Sequence, residues 1–188
     1  MAFAEKWRYG IGESILKKRL KNITRTPVTC NLNQAKNVGI LFDATLLEQF
    51  DPVRTFIASL QDKGIQVQVI GYVNDKKIHE SYLLRRSFHF FSKKELTWFY
   101  KPTPVYIDEF IRKPFDILLC LYLKDYFPLR YITALSNAHF KVGLFSPANT
   151  YLDFMIDMGN NCFPDMLIDQ IKTYVGDLKT RPCSQNTD

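Results

Sequence analysis

The sequence lacks the glycine-rich loops with which many proteins hold nucleotide phosphates. Glycine supplies only 8 of the 188 residues, and neither G-x-G-x-x-G nor G-x-x-x-x-G-K-[ST] occurs. Such loops place backbone N–H groups against a phosphate, usually at the start of a helix. Their absence argues against a dinucleotide or P-loop site, and we expect no cofactor.

Metal-binding and nucleophile motifs are missing as well. The four cysteines form no C-x-x-C pair, and no histidine lies at ligand spacing from them. This pattern predicts neither a zinc site nor a disulfide framework. The nucleophile motif G-x-S-x-G is also absent. The sequence therefore indicates no catalytic residue, and it favours a protein that is not an enzyme.

Long apolar runs are absent too. No stretch approaches the ~18 apolar residues of a membrane-spanning helix, and the first residues lack the apolar core of a secretory signal. We therefore expect a cytoplasmic protein. A hydrophobic fraction of 46% and an aromatic fraction of 14% predict a folded chain with a packed core.

From residue 38 onward, short apolar runs alternate with helical patterns. This alternation is typical of an open, mostly parallel, Rossmann-like α/β sheet flanked by helices. We predict the strand order 3-2-1-4-5, with a short edge strand at 153–157. The chain then divides into a basic N-terminal helix and connector (1–37), one α/β domain (38–178) and a polar tail (179–188).

Capping residues mark where several helices begin and end. The pair Asp51-Pro52 predicts a helix start, and Gly64 predicts the end of the same helix. The spacing of Ser92 and Glu95 matches a capping box, which predicts a second helix running through Phe99.

Four short segments carry a family resemblance. They are Phe-Asp-Ile-Leu at 115–118, Phe-Pro-Leu at 127–129, the run from Leu-Ser-Asn-Ala to Phe-Lys-Val-Gly at 135–143, and Tyr-Leu-Asp-Phe-Met-Ile at 151–156. In these segments the chain resembles an uncharacterised family of small bacterial proteins of unknown function. The resemblance extends over most of the chain and implies no activity.

The region 115–143 is also similar to the N-terminal, Rossmann-like half of heptosyltransferase-type glycosyltransferases. Those enzymes have a strand with Asp, a helix, a turn of small residues and a strand of the Lys-Val-Gly type. They bind the nucleotide sugar in a second domain that has no counterpart in these 188 residues. This resemblance therefore implies the fold and argues against the activity.

The predicted sheet places one candidate ligand site where its strand order reverses. Ligands of doubly wound sheets bind there, outside the carboxyl ends of the strands. A nucleotide sugar or a phosphorylated metabolite would suit the charged side chains of these loops. In the alternative interpretation, the two aspartates are turn residues. The candidates are Asp43, Thr45, Lys124, Asp125 and, after a neighbouring strand, Ser146.

Positive charge is concentrated near the N-terminus. Residues 5–25 have a net charge of +5, out of a formal +6 for the whole chain. A helix predicted at 8–23 thus indicates a non-catalytic binding or adaptor protein that contacts an anionic partner, either RNA and the ribosome or a membrane face. In the alternative, this helix docks its apolar stripe on its own domain. Its basic candidates are Lys17, Lys18, Arg19 and Lys21.

Overall fold

Six parallel strands form the centre of the fold. A computed structural model of the chain describes residues 2–83, 88–147, 150–159 and 163–179. The strand order is β3-β2-β1-β4-β5-β6, and each neighbouring pair is parallel. This confirms the predicted Rossmann-like sheet with a short edge strand. The strands are β1 (Asn37–Asp43), β2 (Gln66–Val73), β3 (Phe88–Ser92), β4 (Ile117–Leu121), β5 (Phe140–Leu144) and β6 (Phe154–Ile156).

Helices cover both faces of this sheet. One face packs against α2 (Phe50–Asp62) and α6 (Pro164–Gly176), with the single turn α3 (Glu80–Leu83) between β2 and β3. The other face packs against α1 (Ala2–Leu20), α4 (Val105–Arg112) and α5 (Phe127–Leu135). The central strands are apolar on both sides because each side is covered.

Alternation along the strands divides the core into two layers. In β1, Ile40 and Phe42 belong to the layer under α2 and α6, whereas Leu41 belongs to the layer under α1, α4 and α5. Leu119 and Leu118 of β4 divide in the same way. Successive side chains of a strand point to opposite faces, so continuous apolar runs were the correct sequence signal for these strands.

The structure corrects three predicted helix limits. The N-terminal helix begins at Ala2, not at residue 8, because the contacts of its inner face stabilise it despite two glycines. The next helix begins at Phe50, with Gln49 and not Asp51 at the N-cap. The capping box of Ser92 and Glu95 forms, but it caps only a 3₁₀ turn because the backbone becomes extended at Leu96.

The cysteines differ from one another. Cys120 is free and buried in β4, and burial raises the pKa of its thiol to about 11. Cys30 is disulfide-bonded and fully buried, and the spacing of the cysteines did not predict this bond. Cys162 and Cys183 lie outside the described residues.

One charged side chain is enclosed by the core. Lys141 of β5 is 2% exposed, and its Nζ donates a hydrogen bond to the Ala134 carbonyl at 3.1 Å. Burial, with a contribution from the nearby Arg25, lowers the pKa of Lys141 to about 8. The folded state therefore holds this proton less tightly than the unfolded chain does.

Substitution Lys141→Met should raise the free energy of unfolding, by on the order of 2 kcal/mol near neutral pH, because it removes a buried charge. Below about pH 8, Lys141 is charged in both the folded and the unfolded state, so the folded state bears the full cost of desolvating it. As the pH rises from 8 towards 10.5, the folded state releases the proton first and this cost decreases. Urea denaturation at about pH 7 and about pH 9.5 should show a smaller gain at the higher pH. Lys36→Met, on an exposed lysine, is the control, and an equal gain at both values would contradict the assignment.

Candidate functional site

A cavity of about 520 Å³ opens at the carboxyl edge of the sheet, on the side that α1 covers. Tyr72 near the end of β2 and the loop after β4 form its inner part, and α1 forms one wall. Its lining is dominated by aromatic rings. These are Tyr9, Tyr72, Tyr100, Tyr126 and Phe127, and we call the space that they enclose the tyrosine cavity.

The wall from α1 is held by one buried guanidinium. Arg130 of α5, whose side chain is 6% exposed, pairs with Glu13 of α1 and with Asp125, the latter at 2.7 Å. It also donates a hydrogen bond to the hydroxyl of Tyr9. These neighbours raise the pKa of Arg130 against the opposing effect of its burial. The guanidinium therefore remains charged and joins α1 to α5 and to the loop before it.

Gly12 allows α1 to pack closely against α5 and Phe99. A Cβ atom at Gly12 would lie 2.6 Å from the Phe99 carbonyl oxygen and 2.9 Å from Cζ of Phe127. Only a residue without a side chain fits there. Leu16, one turn further along α1, is fully buried against the same layer.

Tyr100 enters the cavity from a strained turn. Its φ is +66°, the only positive value of a residue other than glycine in the described part of the chain, and tyrosine seldom adopts that conformation. The Arg8 guanidinium lies 4.9 Å from the centroid of the Tyr100 ring, and the centroid of the Tyr9 ring lies 6.5 Å from the same point. The α1 helix therefore holds the ring of Tyr100 in place at the cavity.

Phenol hydroxyls and one amide supply the polar groups inside. The hydroxyl of Tyr72 donates to Oδ1 of Asn74 at 3.2 Å, and the side chains of Thr45 and Asn74 lie close enough to the Tyr126 hydroxyl to lower its pKa in part. Burial raises the pKa of both tyrosines, and the nearby Asp43 carboxylate raises it further. Both phenols therefore stay protonated at neutral pH and can donate hydrogen bonds.

The rim of the tyrosine cavity carries two exposed lysines. Lys6 comes from α1 and Lys93 follows β3, so they approach the opening from different elements. Glu5 is the acidic rim residue on α1. Asp125 also lines the cavity, but its carboxylate is already paired with Arg130. The opening itself thus carries two positive charges and one negative charge, whereas the sharing of Arg130 between Asp125 and Glu13 leaves one negative charge beneath it.

The predicted switch-point site is a separate and smaller space of about 100 Å³. Asp43, Thr45 and Lys124 line it together, as predicted. Asp43 accepts hydrogen bonds from the backbone N–H and the hydroxyl of Thr45, an arrangement typical of an Asx turn. Tyr126 lines both spaces and lies between them. A volume of 100 Å³ is well below the ~300–1,000 Å³ of small-molecule sites.

The remaining predicted candidates are dispersed. Asp125 lies at the tyrosine cavity and not with Asp43, while Ser146 follows β5 and lines neither space. The tyrosines and the two rim lysines were missed because α1 was not expected at this edge. Applying the carboxyl-end rule to β2 as well as to β1 and β4 would have found Tyr72 and Asn74.

The basic candidates of α1 behave differently from one another. Arg19 hydrogen-bonds to the Tyr131 hydroxyl and lies 3.8 Å from Asp108. It therefore helps to dock α1 on its own domain, as the alternative interpretation of this helix expects. Lys17, Lys18 and Lys21 are exposed, and within the described residues none of their side-chain ammonium groups forms an ion pair or hydrogen bond.

The chain matches DUF6913, a family of unknown function, over residues 8–178. It belongs to this family. No curated protein and no solved structure matches the chain. Across the described ranges, no helix is long and apolar enough to cross a membrane, and no group of three or more His, Cys, Asp or Glu side chains is arranged to hold a metal.

The docking of α1 predicts opposite effects for its two glycines. Gly12→Ala should lower the free energy of unfolding by roughly 1–3 kcal/mol, because the new methyl group overlaps Phe99 and Phe127. Gly10→Ala, with no atom within 4 Å of the new Cβ, should raise it by about 0.5–1 kcal/mol through helix propensity. Chemical denaturation measures both, and a stabilising Gly12→Ala would disprove the close approach.

A second prediction concerns the guanidinium. Arg130→Leu should cost about 2–4 kcal/mol of unfolding free energy, because Glu13 and Asp125 lose their shared cation. Hydrogen exchange should increase in α1 before it increases in the sheet. Arg54→Leu, which removes an exposed pair with Asp51, should change stability by less than ~1 kcal/mol. Unaltered exchange in α1 would show that Arg130 does not hold the helix.

Proposed function

We propose that the protein is a binding domain for a small organic anion that carries a flat ring, and that the tyrosine cavity holds this ligand. The observation that supports the proposal most is the combination of aromatic walls with lysines at the rim. A cavity of about 520 Å³ lies within the size range of small-molecule sites.

The walls suit a ring better than an aliphatic chain. Aromatic side chains bind flat rings by offset or edge-to-face contact, and Tyr9, Tyr100 and Phe127 contribute such surfaces from different elements. The hydroxyls of Tyr72 and Tyr126, with the amide of Asn74, would hydrogen-bond to polar atoms on the ring edge.

The anionic part of the ligand would lie at the opening. Lys6 and Lys93 would contact a phosphate or carboxylate there, where the loss of hydration is small. A nucleotide, a nucleotide sugar or another phosphorylated metabolite combines the two features. A cytoplasmic location and a bacterial origin stay predictions from the sequence.

Thermal-shift and calorimetric titrations with uridine monophosphate, adenosine monophosphate and 4-nitrophenyl phosphate test this function. At least one ring-bearing phosphate should stabilise the protein, and inorganic phosphate should not. At a ligand concentration 100 times the dissociation constant, the gain should be about 2.7 kcal/mol. Lys6→Gln with Lys93→Gln should weaken binding about tenfold or more.

Two control variants locate the site. Lys76→Gln with Lys94→Gln removes the same charge from exposed positions outside the cavity lining and should leave binding intact. Lys124→Gln alters only the switch-point space and should also bind normally. Binding that is lost in Lys124→Gln but kept in the double rim variant would move the ligand to the switch point and refute the proposal.

A second function, that of an adaptor for an anionic partner, rests on a different observation. Lys17 and Lys18 are exposed on α1, and Lys21 is exposed in the turn directly after it, while the other side of the helix is fixed to the domain. Their charge is not used in docking that helix, so it remains available to a partner.

A further inference from the structure

We propose that the outward face of α1, together with Trp98 beside it, docks on the surface of an anionic lipid bilayer. This inference rests on the adaptor function and names its partner. It concerns the side of α1 that faces away from the tyrosine cavity, and Lys6 is the one residue of α1 that lines both that cavity and the outward groove.

The outward face combines an apolar strip with lysines. At 100° per residue, Trp7 and Lys18 fall on the side opposite the buried Leu16, and Ile11 lies beside them. A shallow groove of about 430 Å³ follows this strip and is lined by Lys6, Trp7, Gly10, Ile11 and Ser14. Helices that lie on membranes show the same arrangement of a tryptophan-bearing strip with flanking lysines.

Two exposed tryptophans mark one end of this face. Trp7 is 60% exposed and Trp98 is 51% exposed, although large apolar side chains usually avoid water. Their rings stack with centroids 5.6 Å apart and planes 27° apart. Tryptophan favours the boundary between water and lipid because its ring is apolar and its N–H is polar.

The outward face of α1 is preformed in the unbound protein. Arg130 and the close approach at Gly12 hold the inner side of α1, and Arg8 donates a hydrogen bond to the carbonyl of Trp98. Docking on a bilayer would therefore not need the helix to fold. A preformed surface avoids the cost of ordering a segment at the moment of binding.

The pairing of the tryptophans favours lipid over RNA. Proteins that bind single-stranded RNA offer the faces of aromatic rings to bases, but here each indole covers one face of the other. What remains exposed suits shallow insertion among headgroups. Lys17 and Lys21 would then contact lipid phosphates, with each basic residue contributing about fivefold to the affinity.

Vesicle titration monitored by tryptophan fluorescence tests the proposal directly. Trp7 and Trp98 are the two tryptophans of the chain, so the emission reports on this surface alone. Vesicles of phosphatidylcholine with phosphatidylglycerol should shift the emission to the blue, and brominated lipid should quench it. Phosphatidylcholine alone should do neither, and added salt should weaken the effect.

Matched variants assign the contact. Lys17→Gln with Lys18→Gln and Lys21→Gln should reduce the affinity for anionic vesicles about 100-fold. The control, Lys76→Gln with Lys77→Gln and Lys94→Gln, removes the same charge from exposed lysines elsewhere and should bind vesicles like the unchanged protein. Trp7→Gln should weaken binding and reduce the blue shift, while circular dichroism confirms that it folds.

A parallel titration with single-stranded RNA distinguishes the membrane inference from the adaptor function on which it rests. Binding to RNA but not to anionic vesicles, lost in the α1 triple variant, would overturn the membrane inference and leave the adaptor function standing. Binding to neither would overturn both. If the control triple variant weakens vesicle binding as much as the α1 triple variant does, binding depends on the overall charge of the protein. That result would also overturn the assignment to α1.

Discussion

The docking of α1 through the buried guanidinium of Arg130 is the interaction on which the candidate site depends. This one cation pairs with carboxylates from α1 and from the loop after β4, and it donates a hydrogen bond to the Tyr9 hydroxyl. Removing Arg130 would leave the Glu13 and Asp125 carboxylates without their shared cation in a partly buried place, so the arrangement depends on this one residue. The cavity wall, the ring of Tyr100 and the position of Lys6 all follow from it.

The strand order of the sheet determines at which edge a ligand can bind, but it does not determine which space at that edge is large enough to hold one. Strand order reverses between β1 and β4, and a small space does form there. Tyr126 lines both that space and the tyrosine cavity and therefore lies between them. The usable volume is therefore displaced towards β2 and α1.

The two sides of α1 have different chemistry. Its inner side uses Glu13, Arg19 and a glycine to fit the domain, whereas its outer side keeps exposed lysines and Trp7. The two sequence-based interpretations of this helix, docking on its own domain and presenting charge to a partner, are thus compatible. They describe opposite sides of one helix.

The sequence by itself determined the class of fold, because buried parallel strands are continuous apolar runs and helices between them leave strong local patterns. It also identified Asp43, Thr45 and Lys124 as neighbours, since the carboxyl ends of adjacent strands meet. Only the tertiary structure decided where α1 lies and that its Glu13 pairs with Arg130. This contact joins residues more than a hundred positions apart, and no local pattern specifies such a pairing. The tyrosine cavity lies between these distant segments, so it became visible only once they were packed together.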